Sequence, residues 1–139
     1  MAYDPSNVFA RILRGEIPAH KVHEDEHTLA FMDVMPQSEG HTLVIPKAAA
    51  ENIFELEPDA LAATILATQR VARAARRAFD APGVMIAQLN GAGAGQTVFH
   101  IHFHVIPRYD GIDLRFHARG MADPQVLAAH AARIRAALA

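Results

Sequence analysis

Polar and apolar side chains alternate most regularly between residues 99 and 106. The polar positions are His100, His102 and His104. The apolar positions around them are Phe99, Ile101, Phe103 and Val105. A period of two predicts a strand with three imidazoles on one face, about 6.6–6.8 Å apart, and an apolar face that anchors the strand in a core. Because Pro107 has no N–H to donate, we predict that the strand ends there.

Residues 58–79 carry the one long helical period in the chain. The predicted apolar stripe of this helix is Leu61, Ile65, Thr68, Ala72, Ala75 and Phe79. The shorter elements predicted are a helix at 7–13, strands at 21–25, 27–33, 41–46 and 84–90, a helical turn at 51–56, and a last helix at 124–138 capped by Asp123. Strands on both sides of one crossover helix predict an α+β fold with a mainly antiparallel sheet.

The composition indicates a single globular domain. The chain has 139 residues, of which 51% are hydrophobic and 20% are charged; these values are typical of one soluble domain. The formal net charge of −2 gives no support for binding to nucleic acid. The absence of cysteine excludes disulfides and thiolate zinc ligands. Since there is neither a signal-peptide pattern nor a run of apolar residues long enough to span a membrane, we expect a cytoplasmic protein without a membrane partner.

A glycine-rich segment lies directly before the row of histidines. Residues 90–97 contain three glycines, at positions 91, 93 and 95. Glycines allow backbone N–H groups to approach an anion closely, and Asn90, Gln96 and Thr97 add neutral donors. Imidazoles can act as nucleophile, acid, base or metal ligand. The combination therefore predicts a site for phosphate or another oxyanion.

A metal site is the alternative for the histidine row. A His-x-His pair on a strand can bind zinc if a third ligand is available, and His23, His41 or His117 can supply one. Zinc hydrolases usually add a carboxylate near these ligands, and residues 99–108 contain none. The sequence therefore favours chemistry on an oxyanion without a metal.

Several segments, in this order, resemble the histidine triad (HIT) family of nucleotide-binding proteins. The segment His-Ile-His-Phe-His-Val-Ile at 100–106 resembles the signature of the family. Four further segments resemble the opening helix and turn, the ribose-contacting segment, the central strand and the phosphate loop, at residues 9–18, 31–37, 40–47 and 90–100 respectively. The chain is most similar to the small, Hint-like bacterial branch. We expect one HIT domain over residues 1–139, with its core at about 7–109 and a variable helical tail at 110–139.

The resemblance implies a fold and an activity. The HIT fold is a five-stranded, mainly antiparallel sheet with a long crossover helix, and it forms a homodimer whose sheets join. The implied reaction transfers a nucleotidyl group from a nucleoside phosphoramidate or a dinucleoside polyphosphate to a histidine and then to water. The expected ligand is a purine nucleotide of the adenosine type, and the implied class of enzyme is a nucleotide hydrolase or nucleotidyl transferase. The alternative is a catalytically weak nucleotide-binding or regulatory module.

The resemblance also assigns roles to individual residues. It makes His102 the nucleophile, with His100 and His104 as partners for phosphate oxygens and neighbouring groups. Thr97 lies where the family places a hydroxyl near the leaving group, and Asp33 matches the acid that accepts ribose hydroxyls. The remaining assignments are Asn90 and Gln96 as phosphate contacts, Phe9, Ile12, Ile17, Phe31 and Val34 as the nucleoside pocket, and His41 as a histidine near the active centre.

One departure from the family concerns zinc. Many bacterial members hold a structural zinc with a Cys-x-x-Cys pair, a later histidine and the first histidine of the triad. Here the first three of these positions are occupied by Asn7, Ala10 and Ala49, and only His100 remains. We therefore predict that no metal and no other cofactor is bound.

Overall fold

Five antiparallel strands form one sheet in the computed structural model, which describes residues 2–113 and 120–138. The strands are β1 Lys21–Glu24, β2 Thr28–Met32, β3 Thr42–Pro46, β4 Gly83–Ala87 and β5 Phe103–Arg108. The helices are α1 Val8–Leu13, α2 Pro58–Phe79 and α3 Pro124–Leu138, and a short 3₁₀ helix spans Ala92–Ala94. The order of the strands is β1-β2-β3-β5-β4, with α2 as the crossover between β3 and β4. The predicted α+β class and antiparallel sheet are confirmed.

Alternation along the central strands produces two hydrophobic layers. One face of β2 and β3 presents Ala30, Met32 and Val44 to a core that includes residues of α2 and α3. The opposite face presents Leu29, Phe31, Leu43 and Ile45 to Phe9 and Ile12 of α1. Because both faces are covered, every residue of β2 and of β3 is buried. The layer that contains α1 borders the cavity described below.

Helix α2 has the predicted bounds, and its buried face matches the predicted stripe except at Ile65. Pro58 occupies its first turn, and Asp80 ends it in a left-handed conformation. The buried side chains are Thr64, Ala67, Thr68, Val71, Ala74, Ala75 and Phe79. The prediction that Ile65 is buried is wrong, since its side chain is 44% exposed. The sheet instead receives mostly small side chains, which let the helix approach closely.

Helix α3 completes the core on the α2 side of the sheet. Asp123 accepts a hydrogen bond from the N–H of Gln125 at 2.9 Å, as expected for a cap. Leu127, Ala131 and Ile134 are buried in the core shared with α2. The helix that the sequence assigned to the tail therefore packs as a core element. No helix in the described part of the chain combines the length and the hydropathy needed to cross a membrane.

Strand β5 begins later and ends later than predicted. Its first residue is Phe103, because the N–H of Ile101 donates to Ala50 at 2.9 Å rather than to a neighbouring strand. The prediction that Pro107 ends the strand is wrong, because Pro107 pairs with Val84. The carbonyl oxygen of Pro107 accepts a hydrogen bond from the Ser38 hydroxyl. In an antiparallel strand, the nitrogen and the carbonyl oxygen of one residue point to the same side. The nitrogen of Pro107 therefore points to the side where β3 no longer pairs with β5.

The end of β4 and the structure of residues 51–56 also differ from the prediction, and the bounds of α1, β1, β2 and β3 each differ by one residue at one or both ends. Strand β4 ends at Ala87, three residues before the predicted end. The chain at 51–56 forms turns rather than a helix.

Candidate active site

A cavity of about 500 Å³ lies on the α1 face of the sheet. This volume is typical of a pocket for a small organic ligand. The predicted site residues that line it are Phe9, Ile12, Ile17, Phe31, Asp33, Val34, His41, Thr97, His102 and His104. His100, Asn90 and Gln96 do not line it. The cavity thus brings an apolar wall together with two histidines of the row and a carboxylate.

The backbone holds the neutral ring of His102 in one tautomer. Its Nδ1 lies 2.7 Å from the carbonyl oxygen of His100. Because a carbonyl oxygen only accepts, Nδ1 carries the proton and Nε2 keeps a lone pair. Phe9 packs edge-on against the imidazole, with the ring centroids 4.9 Å apart. Burial lowers the pKa of His102, so the ring is neutral near pH 7. A neutral imidazole with one fixed nitrogen is suited to nucleophilic attack.

His104 has the opposite tautomer, which His41 imposes. The N–H of Gln37 donates to Nδ1 of His41 at 2.9 Å, so the proton of His41 is on Nε2. That Nε2 lies 3.0 Å from Nδ1 of His104, which must therefore accept. The proton of His104 is then on Nε2, and this residue lines the cavity. Burial lowers the pKa of His104 to about 4 and that of His41 to about 3, and both rings are neutral at pH 7.

Asp33 lies beside these two histidines at the end of β2. Its Oδ1 accepts from the N–H of Met35 at 2.8 Å, and its Oδ2 is 3.4 Å from Nε2 of His41. Since His41 is neutral, the second contact is not an ion pair. Burial raises the pKa of Asp33 to about 6. A buried carboxylate that faces a cavity and has few hydrogen-bond donors around it is a strong acceptor for the hydroxyl groups of a ligand.

Asp33, His41 and His104 are also the side chains that could together hold a metal ion. Their ligand atoms lie within 4.8 Å of one another, so the fold supplies the carboxylate that residues 99–108 lack. However, coordination through Nε2 of His41 requires a proton on Nδ1, where the N–H of Gln37 already donates. These residues therefore fit a cation poorly. Of the other proposed ligands, His23 bonds to Asp25 and does not line the cavity, and His117 lies outside the described residues.

His100 is fully buried and has no ring nitrogen left for a substrate. Its Nε2 lies 2.8 Å from the carbonyl oxygen of Pro46, and its Nδ1 lies 2.6 Å from the Tyr3 hydroxyl. The expectation that its side chain meets phosphate oxygens is therefore corrected. His100 contributes its backbone carbonyl to the site, and this carbonyl accepts a hydrogen bond from Nδ1 of His102.

Gln96 holds the glycine-rich loop together. Its Oε1 accepts from the N–H of Gly91 at 2.7 Å, and its Nε2 donates to the carbonyls of Glu51 at 2.6 Å and Val98 at 3.0 Å. Both of its N–H groups are used within the protein. The side chain thus shapes the loop rather than facing the cavity, which is the physical reason to correct its assignment as a phosphate contact.

Asn90 has a similar internal role. Its Oδ1 accepts from the N–H of Ile53 at 2.8 Å, and its Nδ2 donates to Gln88 at 2.9 Å. Its neighbour Leu89 lines the cavity, as do Gly95 and Thr97 at the other end of the loop. The structure therefore places Asn90 behind the site, where it ties the loop to the chain after β3.

The model of the HIT domain family matches residues 14–111, which include the loop and the whole histidine row. The chain belongs to the HIT family. Among curated HIT relatives, the protein named hit from Bacillus subtilis (strain 168) is 46% identical over 102 residues, which cover 73% of this chain and 70% of the relative. A 13.2 kDa HIT-like protein of Azospirillum brasilense is 50% identical over 105 residues, covering 74% and 86% of the two chains.

Solved HIT structures agree with the fold over nearly the whole chain. A HIT-like protein of Bartonella henselae, described as involved in cell-cycle regulation, has a TM-score of 0.92 and 45% identity, covering 98% of this chain and 99% of its own. A zinc-bound histidine triad protein of Mycobacterium smegmatis has a TM-score of 0.85 and 42% identity, covering 96% and 93%. A hypothetical histidine triad nucleotide-binding protein of Sulfolobus tokodaii has a TM-score of 0.86 and 34% identity, covering 94% and 90%.

Some residues that line this HIT site were not predicted. They include Leu43, Met85, Leu89, Val98 and Ile106. Alternation was a usable signal for two of them, since Leu43 pairs with His104 and Ile106 continues the face of His102 and His104. For Leu89 the sequence contains no such signal, because the predicted strand extends beyond it to residue 90, whereas β4 ends at Ala87.

Proposed function

We propose that this HIT protein is a nucleotide hydrolase or nucleotidyl transferase that acts on the α-phosphate of nucleoside phosphoramidates or dinucleoside polyphosphates. Membership of the HIT family suggests a nucleotide ligand and hydrolase or transferase chemistry. The observation that carries the proposal is the fixed tautomer of His102, whose Nδ1 donates to a carbonyl at 2.7 Å. This leaves the lone pair of Nε2 for a substrate in the cavity. An adenosine-type purine is the proposed nucleoside.

The bound substrate would place its nucleoside against the apolar wall and its α-phosphate near the histidines. Phe9, Ile12 and Phe31 form part of that wall, and Asp33 would accept the ribose hydroxyls. The proton on Nε2 makes His104 a donor to a phosphoryl oxygen. Such preorganised donors stabilise the charge that develops in the transition state.

The reaction would proceed in two displacements. Nε2 of His102 attacks the α-phosphorus, and the bond to the leaving group breaks. The electron pair of that bond passes to the leaving group; a leaving amine takes a proton from solvent. In the second step, water attacks the phosphorus, the bond to Nε2 breaks, and its electron pair returns to Nε2. The nucleoside monophosphate leaves, and the proton of the attacking water passes to solvent. A covalent intermediate thus replaces one difficult step by two easier ones.

The test is His102→Ala, with His27→Ala as the matched control. His27 is an exposed imidazole in the β1–β2 turn and does not line the cavity. We expect His102→Ala to lose at least about a thousandfold in turnover of adenosine 5′-phosphoramidate, while AMP affinity stays within about tenfold. The control should keep both.

Rapid-quench mass spectrometry identifies the intermediate. The wild type should show a nucleotidyl increment on the peptide that contains His102, and fragmentation should locate it on that residue. A label on His104, or full turnover by His102→Ala, overturns the mechanism. Tight AMP binding without label or turnover in a single-turnover assay would instead support a binding or regulatory module.

A further inference from the structure

Tyr3 lies 97 residues before His100 in the chain, yet its side chain contacts this histidine directly. The Tyr3 hydroxyl oxygen is 2.6 Å from Nδ1 of His100. The two rings also meet edge-on, with centroids 5.6 Å apart and planes at 70°. Among the described residues, the contact joins the N-terminal segment before α1 to the first histidine of the row.

The direction of this hydrogen bond follows from the other ring nitrogen. Nε2 of His100 lies 2.8 Å from the carbonyl oxygen of Pro46, which can only accept. Nε2 therefore carries the proton, and Nδ1 has the lone pair. The Tyr3 hydroxyl must donate to Nδ1. The imidazole of His100 is thus fixed on both sides, by a donor from the N-terminal segment and by an acceptor at the end of β3.

His100, whose side chain is fixed in this way, is also the residue whose carbonyl accepts a hydrogen bond from His102. The peptide unit between His100 and Ile101 donates its N–H to Ala50 at 2.9 Å and accepts Nδ1–H of His102 at 2.7 Å. A buried side chain with two hydrogen bonds limits how far this peptide unit can rotate. The position of the acceptor for His102 therefore depends on the anchoring of His100.

We propose that Tyr3 is a positioning residue that acts through His100 to keep His102 in its Nδ1–H tautomer. The inference rests on the proposed function, in which Nε2 of His102 is the nucleophile. Tyr3 does not line the cavity. Without the hydroxyl, the buried Nδ1 of His100 loses its donor, which is costly for a buried acceptor. The ring and its backbone would then relax, and His102 would also populate the tautomer with its proton on Nε2, which cannot attack.

The test compares Tyr3→Phe with Tyr109→Phe. Each variant removes one hydroxyl and keeps the ring, and Tyr109 donates to the carbonyl of Glu39 at 2.9 Å without lining the cavity. With adenosine 5′-phosphoramidate, Tyr3→Phe should lower kcat about tenfold, the usual order for loss of a positioning partner, and leave KM within about twofold. Tyr109→Phe should leave kcat within about twofold.

Nitrogen-15 NMR of the histidines gives a readout without substrate. The wild type and Tyr109→Phe should show His102 as a single Nδ1–H tautomer, and Tyr3→Phe should show a mixture. An unchanged tautomer of His102 together with an unchanged kcat overturns the role of Tyr3 while leaving the proposed function intact. A lower melting temperature with unchanged kcat well below that temperature has the same meaning. Full turnover by His102→Ala would instead refute the proposed function, and the tautomer measurement would still report whether Tyr3 positions His102.

Discussion

The chemistry of the site depends on which nitrogen of each histidine carries the proton. The sequence predicts three imidazoles in register, but their tautomers are set by groups that are distant in the chain. His100 is fixed by Tyr3 and Pro46, and His104 receives its tautomer from His41. Period-two alternation contains no information about these partners. The sequence could therefore predict which residues form the row, whereas the separate role of His100 required the structure.

Asp33 provides a prediction about the balance between stability and binding. Burial raises its pKa from 3.8 to about 6, so the folded protein binds the proton more tightly than the unfolded chain does. The sign follows: above pH 6 the buried charge costs stability, and this cost disappears as the pH falls below about 4. Asp33→Asn should raise the free energy of unfolding at pH 7 by up to about 3 kcal/mol, with the gain shrinking towards zero at pH 4. Urea unfolding at the two pH values measures this.

Asp33→Asn should also weaken the binding of AMP more than that of its 2′,3′-dideoxy analogue, because the amide lacks the charge that would hold the ribose hydroxyls.

For stability, Asp25→Asn is a control whose effect on the free energy of unfolding should have the opposite sign. The N–H groups of His27 and Thr28 both donate to this carboxylate and help to hold its pKa well below the usual range, so its loss should lower stability at pH 7. Equal weakening of both nucleotides by Asp33→Asn would contradict the ribose assignment, and a stability gain that does not depend on pH would contradict the buried charge.

At the scale of elements, the periodic signals predicted the helices and strands well but not their contacts. The bounds of α2 followed from its period and from Pro58. Its buried face followed in part: the predicted stripe faces the core except at Ile65, which is exposed, while the small residues Ala67 and Ala74 are buried without having been predicted. The predicted start of β5 is also wrong. The alternation of apolar and polar residues continues through Ile101. However, the N–H of Ile101 donates to the carbonyl of Ala50 in a loop, and no local sequence pattern predicts this contact.

The entry to β3 provides a prediction about stability. Gly40 precedes His41 and has φ of +86°, and a Cβ at this position would lie 2.7 Å from the Phe79 ring and 3.2 Å from Pro107. Gly40→Ala therefore combines an unfavourable backbone conformation with a clash against α2, and we expect it to cost about 2–4 kcal/mol in the free energy of unfolding. Gly83→Ala is the control, because it has no positive φ and no atom within 4 Å of the added Cβ. Denaturant unfolding that gives equal costs for the two variants would refute this account of Gly40.

At the scale of the whole molecule, the described fold leaves one edge of the sheet open. The first edge, β1, is partly covered, since Arg135 of α3 donates to the carbonyl of Lys21 at 2.6 Å. The other edge is β4, where Ile86 is 44% exposed. Helix α2 adds Ile65 and Leu66, which are 44% and 61% exposed. An unpaired edge strand and exposed apolar side chains are features that proteins usually cover, and the expected homodimer with joined sheets would cover them.

We therefore expect a dimer that depends on α2 and β4. Sedimentation of the wild type at micromolar concentration should give the mass of two chains. Leu66→Glu should give a monomer, because the dimer would bury an unpaired charge among apolar side chains. Val126→Glu places the same charge on α3, where the valine is 44% exposed, and should leave the dimer intact. A monomeric wild type would refute the dimer. If Leu66→Glu stays dimeric, Leu66 does not lie in the interface and the open edge of β4 needs a different explanation. If both variants dissociate the dimer, the effect of the charge is not specific to α2, and the assignment of the interface to α2 is refuted.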